Sequence, residues 1–208
     1  MTQTATALKK RFTIEEYLRF EEQAEQRHEY HNGNVIPMSG GTIEHNQIAA
    51  NILTEIKVAL RTQQRSCWAT GSDMKVWIEA AQRFVYPDVT VLCDDPQFYK
   101  DRRDALANPL LLVEVLSEST EAYDRGKKFE RYSSLSSLRE YVLVSQSEPA
   151  VEVFFRDHDR PEDWQYHRAT GLDTLIQLQA ISCELSLKEI YRLVKFPPPP
   201  EEAKEKVD

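Results

Sequence analysis

No apolar run in this chain approaches the roughly 20 residues that a membrane-spanning helix needs. The start, Met1-Thr2-Gln3-Thr4-Ala5, also lacks the apolar stretch of a secretory signal. Both absences argue against a membrane partner and imply a cytoplasmic protein. Cysteine is scarce: Cys67, Cys93 and Cys183 are odd in number and widely scattered, matching neither a disulfide framework nor a zinc-knuckle spacing. Buried free thiols are the expectation. Basic charge is short as well, with 26 Lys and Arg against 34 Asp and Glu and a net charge of −8. This argues against a protein that coats nucleic acid through Lys and Arg. It leaves room for an enzyme acting on nucleic acid, because carboxylates gathered at a metal site add negative charge and a local basic strip can coexist with an acidic remainder.

What is present suits one packed domain. The chain has 208 residues, 41% of them hydrophobic and 29% charged, close to ordinary globular usage. Residues 1–11 read as a flexible N-terminal segment and 12–195 as the domain. Residues 196–208 read as a disordered tail, with Pro197 to Pro200 followed by Glu, Lys and Asp. Thr13-Ile14-Glu15-Glu16 forms a capping box that opens a first helix to about residue 26. Asn32-Gly33, flanked by residues 27–31 and 34–38, predicts a two-residue hairpin turn joining two short antiparallel strands. Thr42 caps a second helix whose Ile48, Ile52, Ile56 and Ala59 share one face through about residue 63. Strands follow at about 72–78, 85–93 and 110–116, the last apolar on both faces and therefore central. A helix over about 123–135, strands at 141–144, 151–156 and 164–167, and a short helix capped by Ser186 complete the chain. The fold class is α/β, a mixed central sheet flanked by helices.

Glu114 is the informative residue, a carboxylate inside the run Leu110-Leu111-Leu112-Val113-Glu114-Val115-Leu116. An unpaired buried charge costs several kcal/mol, so something cationic should meet it. Along a strand Glu114 shares a face with Leu112 and Leu116. The preceding strand offers Asp88, next to Pro87, which cannot donate to a sheet ladder and so marks a strand start, an edge or a bulge. If the two strands are neighbours, Asp88 and Glu114 converge, and two convergent carboxylates repel unless they share a cation or proton. Mg2+ suits such a site, with Mn2+ as an alternative, because it takes oxygen ligands and binds through one or two carboxylates plus substrate phosphate. On the helix that follows, Phe129, Tyr132 and Leu135 define an apolar sector at 100° per residue. Lys128 and Arg125 fall within that sector and Lys127 nearly opposite, so Lys128 should reach the carboxylates.

The segments Tyr86-Pro87-Asp88-Val89-Thr90-Val91, Val113-Glu114-Val115-Leu116-Ser117-Glu118-Ser119-Thr120 and Tyr123-Asp124-Arg125-Gly126-Lys127-Lys128-Phe129-Glu130-Arg131-Tyr132 together resemble the Uma-type family of restriction endonucleases, within the PD-(D/E)xK nuclease superfamily. The resemblance spans about residues 12–193. It implies a restriction-endonuclease-like fold, with Asp88 and Glu114 as acidic metal ligands and Lys128 as a lysine relocated onto the helix. It also points to Glu29 on the first hairpin as a third carboxylate and to His45 near the start of the second helix. The usual superfamily lysine, two residues after the second acid, is replaced by Leu116.

Each residue also has a plainer reading. Asp88 and Glu114 could form a structural ion pair with Arg125 or Lys128, and Lys128 could carry its ammonium to solvent. Glu29, beside His28 and His31, could decorate a hairpin, and His45 on an inward helix face could be hydrogen-bonded packing. Ser39-Gly40-Gly41-Thr42 could hold a phosphate but suits a capped loop better. The functional expectation is a Mg2+-dependent endonuclease acting on nucleic acid, DNA first, with a homodimer suited to cutting two strands. The competing classes are a non-enzymatic binding module that keeps the nuclease fold and a hydrolase of small phosphate-containing molecules.

Overall fold

The computed structural model describes residues 11–117, 121–157 and 159–196. The expected flexible start, apart from Arg11, and the acidic tail from Pro197 onward lie outside the described residues, as do Ser119 and Thr120 of the turn after Glu114. No helix among the described residues is long and apolar enough to cross a membrane.

Local sequence rules account for the first third of the chain. Helix α1, Ile14–Glu21, begins with the predicted capping box: Thr13 Oγ1 accepts the Glu16 N–H and Glu16 returns a bond to the Thr13 N–H. Strands β1, His28–His31, and β2, Asn34–Pro37, pair antiparallel around Asn32 and Gly33, both at positive φ. Helix α2, Ile43–Thr62, is capped by Thr42 and buries Ile48, Ile52, Ile56 and Leu60 on one face.

The strand expected over 85–93 is two strands in two different sheets. β5, Arg83–Val85, ends before Pro87 and β6, Val89–Leu92, starts after it. With no N–H to donate, Pro87 is where the ladder breaks and the chain crosses between sheets. A five-stranded sheet runs β2-β1-β5-β4-β7, with β4 at Lys75–Ile78 and β7 at Ala105–Leu106. A six-stranded mixed sheet runs β11-β10-β9-β8-β6-β3. Its members are β3 at Trp68–Gly71, β8 at Leu111–Leu116, β9 at Glu140–Ser145, β10 at Ala150–Arg156 and β11 at Trp164–Thr170. β8 and β9 run parallel and the other pairs of this sheet antiparallel.

Helices cover both faces of the six-stranded sheet. Val113 and Val115 of β8 pack toward the α2 isoleucines, in a core that also takes a ribbon of β12, Leu175–Leu178, and β13, Cys183–Ser186. The closing helix α5, Leu187–Ile190, joins that core; Ser186 stands at its cap position without a side-chain capping bond. On the opposite face Leu112 and Leu116 pack with Tyr132, Leu135 and Tyr141 beneath a helix covering 121–133. That helix is composite: α3 at Glu121–Tyr123, a π-helical turn at Asp124–Lys128, and α4 at Phe129–Ser133.

The expectation of free thiols holds for Cys183 alone, because Cys67 and Cys93 form a disulfide. The β3–β6 register pairs Trp68 with Leu92. One step further along the antiparallel ladder places Cys67 opposite Cys93, with Cα atoms 4.0 Å apart. Pairing across strands, which a 26-residue separation conceals, brings the two sulfurs together.

Candidate active site

Strand register delivers the two acids to one another. β6 and β8 are antiparallel neighbours with Val89 opposite Val113, so the next position sets Asp88 across from Glu114. Asp88 Oδ2 accepts the Val115 N–H at 2.7 Å and lies 3.4 Å from His45 Nε2. A carboxylate at the break after Pro87 therefore closes the end of the β6–β8 ladder in place of a backbone carbonyl.

Glu114 is 4% exposed and lies on the face of Leu112 and Leu116, as strand alternation predicts. Its Oε1 accepts hydrogen bonds from Lys128 Nζ and from the Tyr132 hydroxyl, both at 2.7 Å. Lys128 Nζ also lies 3.3 Å from Asp124, itself 3% exposed. Burial pushes the Glu114 carboxyl up to about 8; Lys128 pulls it back, and Asp88 and Asp124 push it further up. Burial alone would lower the Lys128 ammonium, but Glu114 and Asp124 outweigh it and hold the amine well above the ordinary lysine range. The amine stays charged.

Asp88, Glu114, Asp124 and Lys128 line a pocket of about 390 Å³ that draws on both sheets and also takes in Glu29 and His45. Glu29 accepts from His31 at 2.7 Å. Burial works to raise its pKa, yet the His31 bond and the Lys128 charge prevail and leave it lowered. The Asp88 hydrogen bond raises the His45 pKa against burial, with the Asp88 charge adding to it. The loop before α2 presses against this imidazole: a Cβ on Gly41 would fall 2.7 Å from His45 Nδ1, so a larger residue there would force the ring or the loop to move.

Arg125 does not join the pocket. Its guanidinium pairs with Glu121 on the same helix and with Glu152 of β10. The α-helical phase placed Arg125 and Lys128 in one sector, but a π turn carries an extra residue per hydrogen-bonded loop, so the phase slips between them. The same turn brings Asp124 inward. The sequence reading gave Asp124 no role and took Tyr132 only as part of the apolar sector, although Asp124 stands four residues before Lys128, a pairing distance on a helix.

No three His, Cys, Asp or Glu side chains among the described residues converge closely enough to hold an ion unaided. What the pocket offers is hard oxygen: the Asp88 and Glu114 carboxylates opposite one another, with the Asp124 and Glu29 carboxylates close by. Four carboxylates here face one lysine and two histidines, His45 and His31, a surplus of negative charge that suits a small divalent cation completing its shell with water and substrate oxygen. The donor set therefore fits Mg2+ or Mn2+ and does not fit zinc, which favours sulfur and nitrogen ligands.

The fold and pocket define a class, the restriction-endonuclease-like α/β domain. A crystal structure of "a putative nuclease belonging to DUF820" from Anabaena variabilis ATCC 29413 superposes with a TM-score of 0.66. It shares 18% sequence identity and covers 86% of this chain and 97% of its own. The chain belongs to the Uma2 family, described as "Putative restriction endonuclease", whose profile matches residues 14–189. Two relatives come from Synechocystis sp. (strain ATCC 27184 / PCC 6803 / Kazusa). Uncharacterized protein slr1290 is 35% identical over 184 residues, 88% of this chain and 92% of the relative. Uncharacterized protein sll1609 is 34% identical over 154 residues, 74% of this chain and 86% of the relative.

Proposed function

We propose that the protein is a Mg2+-dependent endonuclease, with Mn2+ as a substitute ion, that hydrolyses phosphodiester bonds of nucleic acid, DNA in the first instance. The observation that carries this reading is the meeting of Asp88 and Glu114 across adjacent strands with the Lys128 ammonium held against Glu114. Asp88 and Glu114 would hold the ion, with Glu29 as an accessory carboxylate. When bound, the ion supplies charge neutralisation at the phosphate and a more acidic water.

The chain's own groups do the rest. Asp124 and Glu114 fix the Lys128 amine at the pocket wall, where it orients the attacking water and offsets negative charge that builds on the phosphate oxygens. Tyr132 holds Glu114 in a single rotamer through its hydroxyl. His45 donates toward Asp88 and keeps that carboxylate turned to the pocket. Leu116, where the superfamily carries lysine, packs in the apolar cluster under the helix, and Lys128 takes over its charge from the helix above. A second copy of the chain would suit cutting of both strands of a duplex.

The test is incubation with supercoiled DNA and Mg2+ or Mn2+, for the native protein and for Asp88→Ala and Glu114→Gln. The native protein should cleave and both variants should lose the activity by about 100-fold or more. Equal cleavage by all three would assign the activity to a contaminant. One observation favours a second reading, a binding module that keeps the fold: Glu114 already has two strong partners and needs no ion to be satisfied. A rise in melting temperature on adding Mn2+ that Asp88→Ala abolishes supports the metal site. No shift in the native protein supports the module.

A further inference from the structure

One turn beyond Lys128 along the same helix, three donors gather with no acid among them. Arg131 on α4 and Arg83 on β5 both donate to the hydroxyl of Tyr123, Arg83 at 3.4 Å, and Arg131 also stacks 5.2 Å over the Tyr123 ring. Tyr123 lines the pocket. Both arginines are half-buried, and among the described residues neither has a carboxylate within 4.0 Å. Arg83 is depressed by burial first and by the Arg131 charge second.

The two guanidiniums repel, and among the described residues only the longer-range charge of Glu29 offsets this at Arg83, with no carboxylate in contact with either. Much of the pair's hydrogen-bonding capacity is unspent. Each guanidinium carries five N–H donors, and one nitrogen on each is engaged with Tyr123. The phenol oxygen accepts from both arginines, which leaves its own O–H to point elsewhere as a further donor. A site made of donors and positive charge, planar and forked, matches the paired oxygens of a phosphate or a carboxylate, and the adjacent nuclease pocket favours the phosphate.

We propose that Arg83, Arg131 and Tyr123 form a phosphate subsite that grips a neighbouring, uncleaved phosphate of the substrate backbone. This rests on the nuclease reading of the adjacent pocket and narrows its substrate to a polynucleotide, since a second phosphate at this offset is absent from small phosphate esters. The residues come from both layers, Arg83 from the five-stranded sheet and the other two from the helix over the six-stranded sheet. A bound backbone would therefore tie the two layers together across the mouth of the pocket.

Fluorescence anisotropy of a labelled 16-base-pair DNA duplex in Ca2+, titrated over a range of salt, tests the subsite; Mn2+-dependent melting and cleavage of the same duplex report on the carboxylate site separately. Arg83→Gln/Arg131→Gln should weaken binding about tenfold or more and make the slope of log K against log salt shallower by about one to two, with the Mn2+ melting shift retained. Arg83→Lys/Arg131→Lys keeps the charge and should retain the slope while losing part of the affinity. This second variant serves if the glutamine pair fails to fold. Unchanged affinity and slope in the glutamine pair, or a lowered melting temperature with unchanged slope, overturns the subsite and leaves a cleaving native protein as evidence for the nuclease. Native protein that cleaves a dinucleotide ester as well as the duplex, or binds no duplex at all, also overturns it. Loss of the Mn2+ shift in native protein, by contrast, strikes the nuclease reading itself.

Discussion

Two buried glutamates on adjacent strands meet opposite fates. Glu114 of β8 and Glu140 of β9 are 4% and 0% exposed, and both are pushed up by burial, to about 8 and about 7. In the parallel register Glu114 faces Leu143 and Glu140 faces Leu111, so they sit toward opposite ends of the ladder. Glu140 accepts the N–H groups of Gln179 and Ala180, at 2.9 and 3.2 Å, and so pins the turn between β12 and β13. Among the described residues no lysine, arginine or histidine pairs with it, and it is not one of the groups lining the pocket around Glu114. Glu114 has an ammonium, a phenol, three further carboxylates nearby and an open cavity. Burial alone therefore does not mark a functional acid; burial beside a fixed cation and a cavity does.

The sharpest way to break the comparison is activity. Glu114→Gln should reduce metal-dependent cleavage by about 100-fold or more, whereas Glu140→Gln should leave the rate within about twofold. Initial rates on plasmid DNA read both. Comparable losses in the two variants would mean that each acts through folding, and the distinction would collapse.

Removing the cation comes next. Lys128→Met leaves Glu114 buried without its partner, which costs about 3 kcal/mol at pH 9, where the carboxyl must either stay charged and unpaired or take up a scarce proton. The loss should shrink toward pH 6, because Glu114 then escapes by taking a proton. Adding Glu114→Gln to Lys128→Met should recover much of the loss at pH 9. Urea denaturation at the two pH values checks this. A loss that ignores pH and is not relieved by the second substitution would mean that Lys128 acts through packing of its stem, not through charge.

The two glutamates were unequally legible. Glu114 stands out because it interrupts a strand that is apolar on both faces. Glu140 drew no reading, since it stands just before the strand expected at 141–144; the turn of the β12–β13 ribbon that meets it was not anticipated. Asp88 was readable through Pro87, and Lys128 through helical phase, because both depend on short-range backbone rules. The π turn at Asp124–Lys128 defeated the same phase rule for Arg125, since nothing local announces an extra residue in a helix. The Cys67–Cys93 bond and the Arg83–Tyr123–Arg131 cluster depend on how distant strands pair or layers stack, and no window of a few residues contains that information.

The finest distinction is in the pH dependence of stability. For Glu140 the folded pKa of about 7 lies above the ordinary value of 4.5, so between those values the folded chain binds more protons than the unfolded one. Stability is then fully present below about pH 4.5 and lost as pH rises toward 7, by about 3 kcal/mol at most. Glu114 behaves with the same sign but extends the window to about 8. Glu140→Gln should flatten the fall between pH 5 and 7 and leave the part between 7 and 8. Mn2+ should do the converse, because an ion on Asp88 and Glu114 favours the ionised carboxylate and strengthens as the proton leaves. Chemical denaturation at pH 5, 6, 7 and 8, with and without Mn2+, separates the two contributions. A metal effect that persists unchanged in Glu114→Gln would place the ion elsewhere, and the contrast between the two acids would then reduce to a difference in hydrogen bonding.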